Sequence, residues 1–289
     1  MSRYDEIKIT KVAGSDNASI LVEDFGGEGH NLLIAHATGF NARMYLPLAI
    51  ALRSKFHCFG INARYHGGSS GGDSLNVDWG TFANDIERTI EVLGGDSWAG
   101  FGHSYGGAAL ILAEANSPGL FKRLALFEPV VPIEGNSSKP DYSNHLSVLT
   151  KRRRRHFGTR REAHSNFESK FPMSSFDQTC IDLYLETGLK RTLDAQLELT
   201  CPREIESEIY AWASCNQAYS NLPKIEIPML FISGETTDAF DLNYMERLRE
   251  KAKRSEVEMA LAMSHFGPFE KPEVVAKMIT NWFDLQETN

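Results

Sequence analysis

The segment Gly102-His103-Ser104-Tyr105-Gly106-Gly107 has the residue types and spacing to carry chemistry. A serine flanked two residues away on each side by glycine fits a sharp strand-to-helix turn, where a Cβ at either flank would collide with the backbone. Such a turn lifts the serine Oγ out of a sheet edge. The start of the following helix then turns backbone N–H groups toward any oxyanion formed there. A serine hydroxyl is a weak nucleophile and needs a base. Of the nine histidines, His265 is the best placed: it lies in Ser264-His265-Phe266-Gly267-Pro268, after a strand-like run and before the last helix. An imidazole needs a carboxylate to fix its tautomer. Asp238, four residues past Gly234, is the preferred candidate, with Glu128, after the apolar run 124–127, as the alternative. Asp241 suits the N-cap of the next helix instead.

These residues require strands that end at a common edge. Residues 7–12 and 20–25 alternate polar and apolar, as half-exposed strands do. Continuous apolar runs at 31–37, 56–62, 97–102 and 124–127 fit strands buried on both faces of a parallel sheet. Helical periodicity covers 78–93, with Phe82, Ile86, Ile90 and Leu93 on one face, and a small-residue helix spans 105–116. The alternation breaks after residue 132 and resumes at 228–234, followed by a helix at 242–254, a strand at 256–263 and a helix at 273–285. The expected architecture is α/β: a mostly parallel twisted sheet flanked by helices. Residues 1–132 and 224–289 are expected to form the core, with 133–223 as a polar, helix-like insertion between two of its strands.

The chain has 289 residues, 42% hydrophobic and 24% charged, ordinary values for a globular protein. The net charge of −8 repels phosphate backbones, so nucleic acid is not an expected partner. No apolar run reaches the ~20 residues of a bilayer span, and residues 1–11 lack a signal-like apolar stretch. A cytoplasmic location without membrane contact follows as an expectation. The four cysteines, Cys58, Cys180, Cys201 and Cys215, show no zinc spacing and read as free thiols. No metal-ligand cluster, P-loop or dinucleotide fingerprint appears, so no cofactor is expected.

The motif at 102–107, together with His36-Ala37-Thr38-Gly39-Phe40, the segment 62–69 and Ser264-His265-Phe266, resembles the α/β-hydrolase superfamily over almost the whole chain. The resemblance implies a serine-nucleophile branch with an esterase-like Ser-His-Asp triad. It also implies an oxyanion hole from the N–H of Tyr105 and of Thr38 or Phe40. The substrate expected is a small ester or related acyl compound. The same fold also serves cofactor-free non-hydrolytic enzymes, acyltransferases and small-molecule receptors. The insertion 133–223 looks like that family's helical cap over the site, in which Tyr184, Tyr210, Trp212 and Tyr219 are candidates for an acyl or alcohol pocket. The run Lys151-Arg152-Arg153-Arg154-Arg155 is either a solvated face or a means of capturing an anionic group.

Overall fold

A computed structural model describes residues 7–133 and 137–287. The chain runs β1 (Lys8–Ala13), β2 (Ser19–Gly26), β3 (His30–Ala35), α1 (Leu46–Leu52), β4 (Phe56–Ile61), α2 (Trp79–Leu93), β5 (Trp98–His103), α3 (Tyr105–Asn116) and β6 (Arg123–Phe127). Next come α4 (His145–Thr150), β7 (His156–Phe157), α5 (Arg160–Glu168), α6 (Gln178–Thr187), β8 (Leu189–Arg191), β9 (Leu197–Leu199), α7 (Arg203–Ala211) and α8 (Ala218–Asn221). It closes with β10 (Met229–Gly234), α9 (Leu242–Lys251), β11 (Ser255–Ala260), α10 (Gly267–Glu270) and α11 (Pro272–Glu287).

Eight strands form one sheet in the order β1-β2-β4-β3-β5-β6-β10-β11. β1–β2 and β2–β4 pair antiparallel, and every later pair is parallel. Strand alternation divides the apolar side chains between two faces. Leu32, Ile34, Phe101, Phe127 and Ile232 pack into one cluster with α1 and α11. Leu33, Ala35, Leu126 and Phe231 pack into the other, with α2 and α3. A sheet covered on both faces explains the continuous apolar runs.

Asp78 caps α2, its carboxylate accepting from the Gly80 N–H, and Gly94 ends it with positive φ. The helix buries Trp79, Phe82, Ile86 and Ile90, each contributing roughly 1.5–3 kcal/mol. α3 is buried on nearly every side. Ala108, Ala109 and Ala113 let it lie close to both β5 and α2.

β6 and β10 are sheet neighbours although about a hundred residues separate them. The intervening chain holds α4 to α8 and a separate three-stranded sheet of order β7-β9-β8. That small sheet departs from the all-helical reading of the insertion. Its strands are two or three residues long, too short for alternation to register.

Candidate active site

The carboxyl ends of β5, β6, β10 and β11 converge on one edge of the sheet, and the loops leaving them bring the chemistry together. Ser104 stands between β5 and α3 with φ 56° and ψ −114°, a strained region for a side-chain-bearing residue, costing on the order of 1–3 kcal/mol. Its surroundings enforce the bend. The Ser104 N–H donates to the Phe127 carbonyl at 3.0 Å, and its own carbonyl accepts from Val130 and Ala108, each at 3.2 Å. The flanking glycines are required by close approach: a Cβ on Gly102 would stand 2.6 Å from Gly107 Cα, and one on Gly106 would overlap the Ala35 carbonyl.

His265 occupies the loop between β11 and α10. Its Nδ1 lies 2.7 Å from Oε2 of Glu128, so Nδ1–H donates to the carboxylate and Nε2 is the free basic nitrogen. Neither that Nε2 nor Ser104 Oγ is hydrogen-bonded to any described residue. Glu128 is fully buried and follows β6 with φ 42°. Its Oε1 accepts from the Gly234 N–H at 2.7 Å, and its Oε2 also accepts from Thr237 Oγ at 2.9 Å.

The sequence preference for Asp238 is therefore corrected by the geometry: the carboxylate on the imidazole is that of Glu128. The loop after β10 turns Thr237 inward onto Glu128 and leaves Asp238 exposed, without a hydrogen bond or ion pair to the described residues. Both acids leave adjacent parallel strands at the same edge. Only the loop conformation decides which one reaches the histidine, and spacing does not encode it. Asp241 caps α9, accepting from the Tyr244 N–H.

The loop after β3 approaches the helix start of α3, with the Gly106 N–H donating to the His36 carbonyl at 3.1 Å. Most of the loop's N–H groups are committed. Ala37 donates to Tyr45 Oη at 3.0 Å, Gly39 to His66 Nε2 at 3.1 Å, and Phe40 to the Ala37 carbonyl at 3.3 Å. Among the described residues, the N–H groups of Thr38 and Tyr105 remain unspent. Phe40 is thus corrected as a donor: the turn that shapes the loop consumes its N–H. Its ring instead packs 5.0 Å from Phe269 and 6.0 Å from Tyr184.

Three buried histidines that spacing alone did not place hold this frame. His36 Nε2 accepts from the Ala63 N–H at 3.0 Å while its Nδ1 donates to the Ala37 carbonyl at 2.8 Å. His66 Nδ1 donates to the Arg64 carbonyl at 2.8 Å, leaving Nε2 for Gly39. His103 Nδ1 accepts from Tyr45 Oη at 2.7 Å, and its Nε2 donates to the His265 carbonyl at 2.8 Å. Burial, then the neighbouring His66, pushes His36 down to about 3; burial pushes His66 down to about 4. His103 is held well below the usual range, first by burial and then by His265. All three are neutral clamps. Arg64 anchors the loop after β4 through a buried two-pronged bond to Asp85, at 2.8 and 3.0 Å.

A cavity of about 470 Å³ opens against this edge, lined by Thr38, Phe40 and Phe266 from the core and by Arg153, Tyr184 and Tyr210 from the insertion. Phe266, next to His265 in sequence, and Thr38, from the loop after β3, stand in its wall; Ser104 and His265 themselves do not. Of the four aromatic residues expected there, Trp212 and Tyr219 instead pack among the apolar side chains around α3. The cysteines are free, and Cys58, Cys180 and Cys201 are buried. Among the described residues, no three His, Cys, Asp or Glu side chains group as metal donors, and no helix is long and apolar enough to cross a membrane.

Residues 32–278 match the profile of the alpha/beta hydrolase family. The curated N-formylmaleamate deformylase of Pseudomonas putida is 33% identical over 117 residues, which is 40% of this chain and 43% of that protein. The alignment thus spans less than half the length of that relative. Among solved structures, E-2-(acetamidomethylene)succinate hydrolase superposes with a TM-score of 0.80 at 19% identity, covering 96% of this chain and 100% of the other. The peroxisomal α/β-hydrolase Lpx1 of Saccharomyces cerevisiae gives 0.78 at 16% identity, covering 98% and 90%. An esterase from Exiguobacterium antarcticum gives 0.73 at 18% identity, covering 94% and 98%. With the family profile matched over most of its length, and a mostly parallel sheet carrying a serine elbow, the chain belongs to the α/β hydrolase family.

Proposed function

We propose that this protein is a serine hydrolase that cleaves a small ester or amide through an acyl-enzyme, with Ser104, His265 and Glu128 as its triad. The observation that carries the reading is the imidazole of His265. Its Nδ1 is bound to a buried carboxylate at 2.7 Å, and its backbone carbonyl is bonded to His103, the residue before Ser104.

Ser104 Oγ attacks the substrate carbonyl carbon, and its proton passes to His265 Nε2. Glu128 stabilises the imidazolium that forms. The tetrahedral oxyanion is held by the N–H groups of Thr38 and Tyr105, the latter in the first turn of α3. One such donor is worth on the order of 10²–10³ in kcat. Collapse breaks the bond to the leaving alcohol or amine, which takes the proton from Nε2. Water, deprotonated by the same nitrogen, then releases the acid and regenerates the serine. The insertion, as a cap over residues 133–223, keeps bulk water from the acyl-enzyme and shapes the acyl pocket. Similar proteins act on the formyl amide of maleamate, on an acetamidomethylene succinate and on esters, which supports acyl transfer to water without choosing between C–O and C–N cleavage.

Ser104→Ala removes the nucleophile while leaving the bend in place. It should abolish p-nitrophenyl ester turnover and covalent labelling by a fluorophosphonate without changing the unfolding free energy by more than ~0.5 kcal/mol. Undiminished turnover by that variant would reject the serine mechanism.

A further inference from the structure

We propose that the acyl substrate carries a carboxylate remote from the scissile bond, and that Arg153, Arg152 and Lys170 hold it. This rests on the hydrolase reading and names the substrate class of the same site. The cavity beside the oxyanion loop has Thr38 in its wall and four cations in its lining, Arg152, Arg153, Arg154 and Lys170, against one carboxylate, Glu206. That is a local excess of positive charge in a chain of net charge −8.

The partners of these cations decide which are available. Arg154 is spent outward: it is ion-paired with Glu162, and its guanidinium lies 4.8 Å from the centre of the Phe157 ring. Arg153 is fixed in place. Its Nη1 bonds Glu206 at 2.6 Å and its Nη2 bonds Tyr184 Oη at 3.1 Å, so Nε–H and one Nη2–H have no partner among the described residues. Glu206 is buried against the oxyanion loop, where a Cβ on Gly39 would overlap its carboxylate. That contact ties the guanidinium to the catalytic edge. Arg152 makes no side-chain hydrogen bond or ion pair to the described residues, and Lys170 Nζ bonds only the neutral Asn166 side chain, at 2.6 Å. Glu206 therefore balances one cation, and two charges remain without a counterion. Guanidinium forks and ammonium groups bind carboxylates through charge-assisted hydrogen bonds. The apolar Leu149 and Phe171 beside them suit a short carbon chain between the anion and the carbonyl.

The test compares the mono-p-nitrophenyl ester of glutarate with p-nitrophenyl pentanoate, which has the same acyl length and no charge. At low salt the anionic ester should be preferred in kcat/KM by about tenfold or more. The preference should fall toward unity in Arg152→Gln/Lys170→Gln, in Arg153→Met/Glu206→Gln, and in wild type at high salt. The second pair removes both charges of the ion pair together, so the buried Glu206 carboxylate is not left unpaired in the fold. Turnover of both esters with no preference for the anionic one would overturn the anion site and leave the hydrolase standing. If neither ester is turned over, titration calorimetry with glutarate decides. Binding that disappears in Arg152→Gln/Lys170→Gln supports the site, and absence of binding to the wild type overturns it.

Discussion

Glu128 and Asp238 differ in what surrounds each carboxylate. Glu128, fully buried, receives the Gly234 N–H, the Thr237 hydroxyl and the His265 imidazole. Asp238 faces water. Glu128→Gln keeps the shape but puts an amide where the imidazolium needs a negative charge. It should lower kcat by roughly 10²–10⁴ with little change in KM, whereas Asp238→Asn should leave ester turnover within about twofold. A steady-state comparison of the two variants distinguishes the triads; loss of activity in Asp238→Asn alone would restore the aspartate. At this scale the sequence singled out Ser104 and His265 because each sits in a recognisable turn. The acid remained ambiguous because two adjacent strands each end in a reachable carboxylate. The loop after β3 was legible as a segment, but which of its N–H groups are free was not, since the Phe40 N–H is consumed by its turn bond to Ala37.

Loops from three elements meet through one hydroxyl. Tyr45, at the end of a short 3₁₀ turn before α1, accepts from the Ala37 N–H of the loop after β3. It donates to His103 at the end of β5, and His103 in turn donates to the carbonyl of His265 in the loop after β11. The loop after β3, the turn at Ser104 and the loop holding His265 are thereby joined by consecutive hydrogen bonds. Tyr45→Phe preserves the ring packing on Phe101 and Phe269 but orphans the Ala37 N–H and His103 Nδ1. At about 1–3 kcal/mol for each of these two buried polar groups left unpaired, the loss is roughly 2–6 kcal/mol, measurable as a lower urea midpoint at unchanged m-value. An unchanged midpoint would show that these bonds add nothing to stability. The elements themselves were largely readable: α3 was expected at 105–116 and is observed there, because glycine and small residues mark both its start and its packing. The basic run was less readable. Instead of lying on a helix face it forms an irregular turn after α4, with Arg153 directed to Glu206 and the cavity. Periodicity carries no information about a segment without a repeat.

Across the whole molecule the buried histidines make this fold sensitive to acid. His36, His66 and His103 each use a ring nitrogen as an acceptor, for Ala63, Gly39 and Tyr45 respectively, and a proton on that nitrogen removes the bond. Their folded values, about 3 for His36, about 4 for His66 and well below the usual range for His103, lie beneath the ~6.5 of an unfolded histidine. Above that value both states are neutral, so these groups leave stability independent of pH. Below it the unfolded chain takes up protons that the folded chain refuses, and stability falls by up to ~1.4 kcal/mol per pH unit for each histidine. With three such groups the slope approaches about 4 kcal/mol per unit between roughly pH 6 and pH 4. That window begins above the range in which ordinary carboxylates titrate. A melting temperature that is level from pH 8 to 7 and declines steeply from about pH 6 is the expected profile, and one that stays level down to pH 5 would contradict it. Because the site exists only in the folded chain, ester turnover should decline over the same interval as the folded fraction and return on neutralisation.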